Sequence, residues 1–243
     1  MIPWLSASAP FPPAAAALKR PNGLLAASSP AELTPERLLQ AYRAGIFPWY
    51  GEGEPALWWS PDPRMVLFVD EFHVSRSLRK LLRAASRSDE PQLHADRSFE
   101  QVMRACATAR PGQDGTWIGA AVMAGYCGLA HAGVAHSIEV RRGEELVGGL
   151  YGVCLGRMFF GESMFSRRPN ASKIALATLV ALLRREGVAM IDCQQRTSHL
   201  ASLGAREIRR DGFLQQVSET VRMSPIDWSM YHGVRLNSLL SDH

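Results

Sequence analysis

Residues 136–165 read "HSIEVRRGEELVGGLYGVCLGRMFFGESMF". Three apolar, strand-like runs, 136–142, 145–153 and 157–165, are separated only by the turns around Gly143 and Gly156. Turns that short join antiparallel neighbours, so the stretch predicts a meander. "ASKIALATLVALLRRE", 171–186, follows as a helix capped by Asn170 and ended by Gly187. The chain then enters a strand, "VAMIDC", 188–193. The order βββαβ argues an α+β layer.

Upstream, "MVLFVD" (65–70) reads as a strand and "SRSLRKLLRAASR" (75–87) as a basic amphipathic helix. "SFEQVMRACA" (98–107) and "GAAVMAGYCGLAHAG" (119–133) are further helices. Downstream come a shorter helix near 197–203 and a last one from about 211. Near the start, "TPERLLQAYRAG" (34–45) has Thr34 as N-cap, Pro35 at the first helical position and Gly45 as its stop. Residues 1–30 read as largely extended, and "IFPWYGEGEPALWWSPDPR" (46–64) is dense in Pro, Gly and Trp without any period. A boundary near Pro61–Arg64 therefore divides a small N-terminal domain, 1–62, from a larger one, 63–243.

Hydrophobic residues at 47% and charged residues at 21% suit a soluble globular chain. No apolar run approaches the roughly 18 residues of a membrane span. The alanine tract near the N-terminus follows no basic residue and is broken by Pro10, Pro12 and Pro13, which argues against a secretory signal. Four scattered cysteines fit a reducing cytoplasm better than a disulfide framework. Lys and Arg exceed Asp and Glu by 27 to 23. Arg76, Arg79, Lys80 and Arg83 recur at helical spacing, and arginines come in pairs at 141–142, 167–168, 184–185 and 209–210. Such clusters either track phosphates or face solvent, and the sequence leaves both open.

The βββαβ order is shared by the acyltransferase fold of N-acetyltransferases. There the turn before the central helix carries small residues whose N–H groups cradle pyrophosphate. Here that turn is "RRPNAS", with Asn170 and Ser172 at the small positions and Pro169 removing an N–H. The topology fits and the coenzyme A cradle does not.

Among residues able to do chemistry, Asp192 and Gln194 share one face of a regular strand, with Cys193 on the other. A carboxylate there needs a partner or a task, because burying it unpaired costs several kcal/mol. Cys193 has no His beside it and reads as an inert buried thiol. Cys127 and His131 share a helical face with His136 nearby, but no second pair completes a metal site. Glu162 stands among Phe159, Phe160, Met164 and Phe165, after a glycine that lets something approach the backbone. It is either half of a structural ion pair or, with Asp192 and Gln194, a receptor for a cation beside a hydrophobic side chain.

"GIFPWY", "WWSPDPR", "GTWI", "AHSIEV", "LVGGLYGV", "GESMFS", "NASKIAL", "IDCQ" and "ASLGA", in order between about 21 and 213, carry a resemblance to the bacterial leucyl/phenylalanyl-tRNA–protein transferases. The resemblance implies transfer of leucine, phenylalanine or, less readily, methionine from aminoacyl-tRNA to proteins that begin with Arg or Lys. This marks them for N-end rule degradation, in the cytoplasm, with no cofactor and no membrane. It also implies site residues: Trp49 and Trp117 for the aminoacyl-adenosine, Leu150, Phe159 and Gly161 for the amino-acid side chain, and Glu162, Asp192 and Gln194 as the reacting set. Arg76, Arg79, Lys80 and Arg83 become the candidate contact for the tRNA acceptor stem. The chain departs from the family pattern at "ASSPAELTP", Ala130 and Arg141, none of which touches that set.

An aminoacyl ester is already activated, so the enzyme has chiefly to position an amine and steady an oxyanion. Gln194 is no base; its carbonyl is expected to accept from the amine, with Asp192 holding the amide. Glu162 then suits the acceptor's cation. Three rivals remain: a relative with acidic acceptors, a non-catalytic aminoacyl-tRNA-binding module and an ordinary acetyltransferase. Like-charge repulsion from Glu162 and Asp192 disfavours the first, their presence the second, and "RRPNAS" the third.

Overall fold

The computed structural model describes residues 1–108 and 116–242. The first sheet holds β1 (Trp4–Leu5), β2 (Leu24–Ser28), β3 (Phe47–Pro48) and β4 (Ala56–Trp59), in the order β1-β2-β4-β3. Helix α1 (Pro35–Arg43) starts as its sequence dictates, with the Thr34 hydroxyl accepting from Arg37 N–H and Pro35 in the first turn. The segment 46–64 is thus less irregular than its composition suggests. Its strands are two and four residues long, too short for alternation to show. Trp58 is fully buried and donates from Nε1 to Ser28 Oγ at 3.0 Å.

The main sheet starts with β5 (Arg64–Phe68), after which the basic helix α2 (Arg76–Arg87), β6 (Gln92–Ala95), α3 (Phe99–Ala107) and α4 (Ala120–His131) follow. Then come the expected meander, β7 (Ala135–Arg142), β8 (Glu145–Leu155) and β9 (Met158–Ser166), helix α5 (Ala171–Arg185) and β10 (Met190–Gln194). Two-residue loops close both hairpins, with Gly143 and Gly156 at φ +54° and +57°, where a side chain would be strained. The chain ends through α6 (Ser198–Ser202), β11 (Arg206–Ile208), α7 (Arg210–Thr220) and a C-terminal segment of short 3-10 turns.

The strand order is β11-β5-β10-β9-β8-β7-β6. β10 runs parallel to β9 and antiparallel to β5, so α5 is the crossover between two adjacent parallel strands. Strands β6 and β11 extend the sheet beyond the sequence expectation; at four and three residues they carry too little pattern to be read.

Alternation along the strands splits the core in two. Leu67, Ile138, Leu150, Phe159 and Ile191 pack with α5, α2 and the C-terminal segment. Val66, Tyr151, Phe160 and Met190 pack with α3, α4, α7 and the N-terminal domain. Helix α5 sits close because Gly148 leaves room: a Cβ there would lie 2.4 Å from Ala171 Cβ. Asn170 occupies the N-cap position but does not cap with its side chain; it adopts φ +66°, and Ser166 Oγ accepts from Ser172 N–H instead. Gly187, at φ +71°, ends the helix, with Val188 N–H reaching back to Leu183 O.

Candidate active site

Four elements converge on one carboxylate. Glu162 of β9 accepts from Tyr42 Oη at 2.6 Å and from Gln194 Nε2 at 2.8 Å on Oε1, and from Tyr126 Oη at 2.9 Å on Oε2. The two tyrosine hydroxyls also lie in hydrogen-bond contact with each other, so their two protons serve three contacts. Tyr42 arrives from α1 and Tyr126 from α4, so the N-terminal domain supplies one of Glu162's donors. Burial pushes the Glu162 carboxyl up to about 8; the tyrosine and glutamine donors pull it down, and nearby Asp192 pushes it further up. Burial and the Glu162 charge together raise both tyrosine hydroxyls well above their ordinary range.

Asp192 is differently placed from the sequence expectation. It is wholly buried and held by Arg64, equally buried, through Nε–H to Oδ1 at 2.8 Å and Nη2–H to Oδ2 at 2.6 Å. Its charge is thus already paired and is not on offer to a ligand's cation. Nor does it hold the Gln194 side-chain amide. Asp192 Oδ1 accepts from the Gln194 backbone N–H at 2.9 Å, and the side-chain amide goes to Glu162. Regular alternation ends between the two residues: the register breaks there, and Gln194 takes φ +62°. A carboxylate two residues back and a left-handed turn make a local cap that strand periodicity cannot reveal.

Where β10 ends beside the middle of β9, a cavity of about 320 Å³ opens, within the range of small-ligand sites. Leu150, Phe159 and Gly161 line it together with Glu162 and Asp192, so five residues singled out from the sequence meet at one place. Met164, Leu176, Leu179, Ile191 and Leu200 complete an apolar wall. A Cβ at position 161 would stand 3.3 Å from Asp192 O, a tight contact that would push on the backbone of β10. Cys193 also lines the cavity, but burial and the neighbouring Asp192 push its thiol well up, away from thiolate.

The two candidate tryptophans lie apart from this list of lining residues. Trp49 is 43% exposed and meets Trp59 edge to face, the centroids 5.7 Å apart; Trp59 Nε1 donates to Trp49 O at 2.7 Å. Trp117 packs half-buried against the N-terminal side of the core. Gly115 of "GTWI" lies outside the described residues.

On α2, Leu78, Leu82 and Ala85 are buried, while Arg76, Arg79, Lys80 and Arg83 are exposed. None of the four enters an ion pair among the described residues. The arginine pairs fare differently: Arg141 is buried against Glu139 at 2.8 Å, Arg184 meets Asp70 and Arg209 meets Asp211. Arg142, Arg167, Arg185 and Arg210 make no ion pair among the described residues, so α2 is one basic face among several exposed cations. If it contacts tRNA phosphates, Arg79→Ala should lower the slope of log K against log salt by about 1. Filter binding of leucyl-tRNA across salt checks this, and an unchanged slope rejects the contact.

His136 bonds Asp96 at 2.7 Å and stacks on Trp228, lining a second cavity of about 680 Å³ with Cys127 and His131. Among the described residues no group of three or more His, Cys, Asp or Glu could hold a metal ion.

The sequence reading missed Arg64, Tyr42 and Tyr126. Arg64 had a weak signal, a charge at the head of the apolar strand "RMVLF"; Tyr42 and Tyr126 read as ordinary residues of helix faces.

A family model described as leucyl/phenylalanyl-tRNA protein transferase matches residues 66–218, and one for that family's N-terminal domain matches 31–62. Curated relatives named leucyl/phenylalanyl-tRNA–protein transferase include one from Bordetella bronchiseptica, 56% identical over 232 residues, covering 93% of this chain and 91% of its own. Another, from Chromobacterium violaceum, is 56% identical over 222 residues, covering 91% and 93%. Among solved structures, L-PGS from Bacillus licheniformis is similar at a TM-score of 0.34 and 16% identity, over 69% of this chain and 55% of that one. That likeness is too slight to define the fold.

Proposed function

The chain belongs to the leucyl/phenylalanyl-tRNA–protein transferase family, and on that premise we propose that it joins leucine or phenylalanine, less readily methionine, from aminoacyl-tRNA to the α-amino group of proteins beginning with Arg or Lys. It is an aminoacyltransferase whose substrates are aminoacyl-tRNA and protein. The products would enter N-end rule degradation, and the tRNA donor puts the work in the cytoplasm. No helix among the described residues is long and apolar enough to cross a membrane.

One observation supports the reading above the others: an apolar cavity of about 320 Å³ is lined by Glu162, and the same carboxylate accepts from Gln194 Nε2 at 2.8 Å. The cavity would take the donor side chain, with Leu150, Phe159 and Gly161 on its walls, and the pair would face the ester. Trp49 and Trp117 would hold the terminal adenosine by stacking. We read the meander, α5 and β10 as an N-acetyltransferase-like unit working without coenzyme A. Pro169 in the turn and Ser166 on the Ser172 N–H leave α5 a poor pyrophosphate cradle.

The chemistry asks little of a base. An α-amine has a pKa near 8, so a useful fraction arrives neutral. The amine attacks the ester carbonyl, the carbon–oxygen bond to the ribose breaks, and the amine's proton ends on the departing ribose oxygen. Gln194 donates through Nε2 to Glu162, which leaves its Oε1 to accept from the amine in flight. Glu162 faces the acceptor's cation, and a cation beside it favours its ionised form.

This gives a pH signature. The Glu162 carboxyl is raised in the fold to about 8 from 4.5, so the folded protein holds a proton that the unfolded chain has lost. Stability should therefore fall as pH rises from about 4.5 to 8. Glu162→Gln should lose that part of the slope in melting temperature while raising KM for an Arg-peptide. Parallel melting curves for the two proteins from pH 5 to 9 would remove Glu162 as the source.

The direct test of the function is transfer of labelled leucine from leucyl-tRNA to peptides beginning with Arg or with Asp. Label on the Arg peptide alone is expected. Label on the Asp peptide would keep the transfer and overturn the role of Glu162; label on neither, with tRNA bound, would leave a binding module.

A further inference from the structure

We propose that Arg64 is a positioning residue of the reaction centre, setting the Gln194 amide through Asp192. The inference rests on the reading of Gln194 given above. The guanidinium has three duties at once. Two of its N–H groups hold both oxygens of Asp192, at 2.8 and 2.6 Å. Nη1 donates to Gly45 O at 3.2 Å, just ahead of β3. Its flat faces lie near Phe47 and Phe213, with centroids 4.7 and 4.4 Å away.

A charge this enclosed contributes little net stability over a well-packed apolar pair. What the arrangement does supply is geometry. Asp192 Oδ1 receives both Arg64 Nε–H and Gln194 N–H, so one oxygen fixes the backbone of Gln194 against a guanidinium that cannot turn. Gln194 sits at φ +62°, a conformation that a glutamine does not hold by itself. Without the anchored Asp192 it would relax toward ordinary strand geometry, and its amide would leave Glu162. Lysine keeps the charge but has no planar fork with which to hold two oxygens.

The test is steady-state transfer of leucine to an Arg-peptide by Arg64→Lys, Gln194→Ala and the double variant, with folding followed by circular dichroism. Arg64→Lys should lose about 10²-fold in kcat, the scale of an ångström-sized misplacement, with KM for leucyl-tRNA within about twofold of wild type. The double variant should turn over no more slowly than Gln194→Ala alone, because the lysine acts through a side chain no longer there. A purely structural arginine would instead multiply the two losses. Phe213→Leu is the second variant, loosening the guanidinium by removing the ring beside it while keeping the charge and an apolar side chain at 213. It should cost about 3- to 10-fold in kcat, again only when Gln194 is present.

Wild-type kcat in Arg64→Lys and Phe213→Leu, or multiplied losses in the double variants, would overturn the inference alone. Full turnover in Gln194→Ala would overturn the mechanism and this inference together.

Discussion

Asp192→Ala should cost the fold about 3–5 kcal/mol, because it strands a fully buried Arg64 without its counter-charge. For a chain of this size about 1 kcal/mol shifts Tm by roughly 2–4 °C, so a fall of about 6–20 °C is expected in a thermal melt. Hydrogen bonds to the Gln194 backbone and to the Nε–Nη2 edge of the guanidinium go at the same time. Replacing the pair together, with Arg64→Met and Asp192→Leu, should recover much of the lost stability but no turnover, since apolar substitutes fill the space without holding Gln194. The practical point is that lost activity in Asp192→Ala says little about chemistry until its melt is known. An unaltered Tm would show that the pair is dispensable to the fold.

Gln194→Ala should behave in the opposite way. Among the described residues its side chain makes one hydrogen bond, to Glu162, which stays paired through Tyr42 and Tyr126. Alanine bears the same left-handed strain at φ +62° that glutamine already does, so the loss is that of one hydrogen bond, about 1 kcal/mol, and Tm should drop by only a few degrees. Turnover is another matter. An interaction made with the amine as it attacks belongs to the transition state, and losing one such contact costs about 10²–10³-fold in kcat. KM for leucyl-tRNA should hardly move. A Gln194→Ala enzyme that transfers leucine at the wild-type rate would remove Gln194 from the mechanism.

Part of this organisation was legible in the residues themselves. The meander, the crossover helix and the strand after it each carried either a clear period or a clear stop. Leu150, Phe159, Gly161 and Glu162 lie on two of those strands, and the cavity gathers them with Asp192. What stayed hidden has a common physical cause. Arg64 and Asp192 are 128 positions apart in sequence, and Tyr42 and Glu162 are 120 apart; no local pattern records a pairing made in the folded chain. The left-handed turn at Gln194 was hidden for a different reason. Strand periodicity assumes that extended geometry continues, and it stopped one residue before the side chain that matters.

Tyr42, from the N-terminal domain, donates to Glu162, and Gly45 O accepts from Arg64. Helix α4 meanwhile lies so near the N-terminal domain that a Cβ on Gly125 would come 2.6 Å from Leu33 O. The first sixty residues are therefore not a detachable accessory. If the cavity takes the donor side chain as proposed, recoding the delivered amino acid by transplanting β8 and β9 from a homologue would mean moving α1 and α4 with them. On that reading the heritable unit of specificity is the interlocked pair of domains, and the strands that line the pocket are only its visible face.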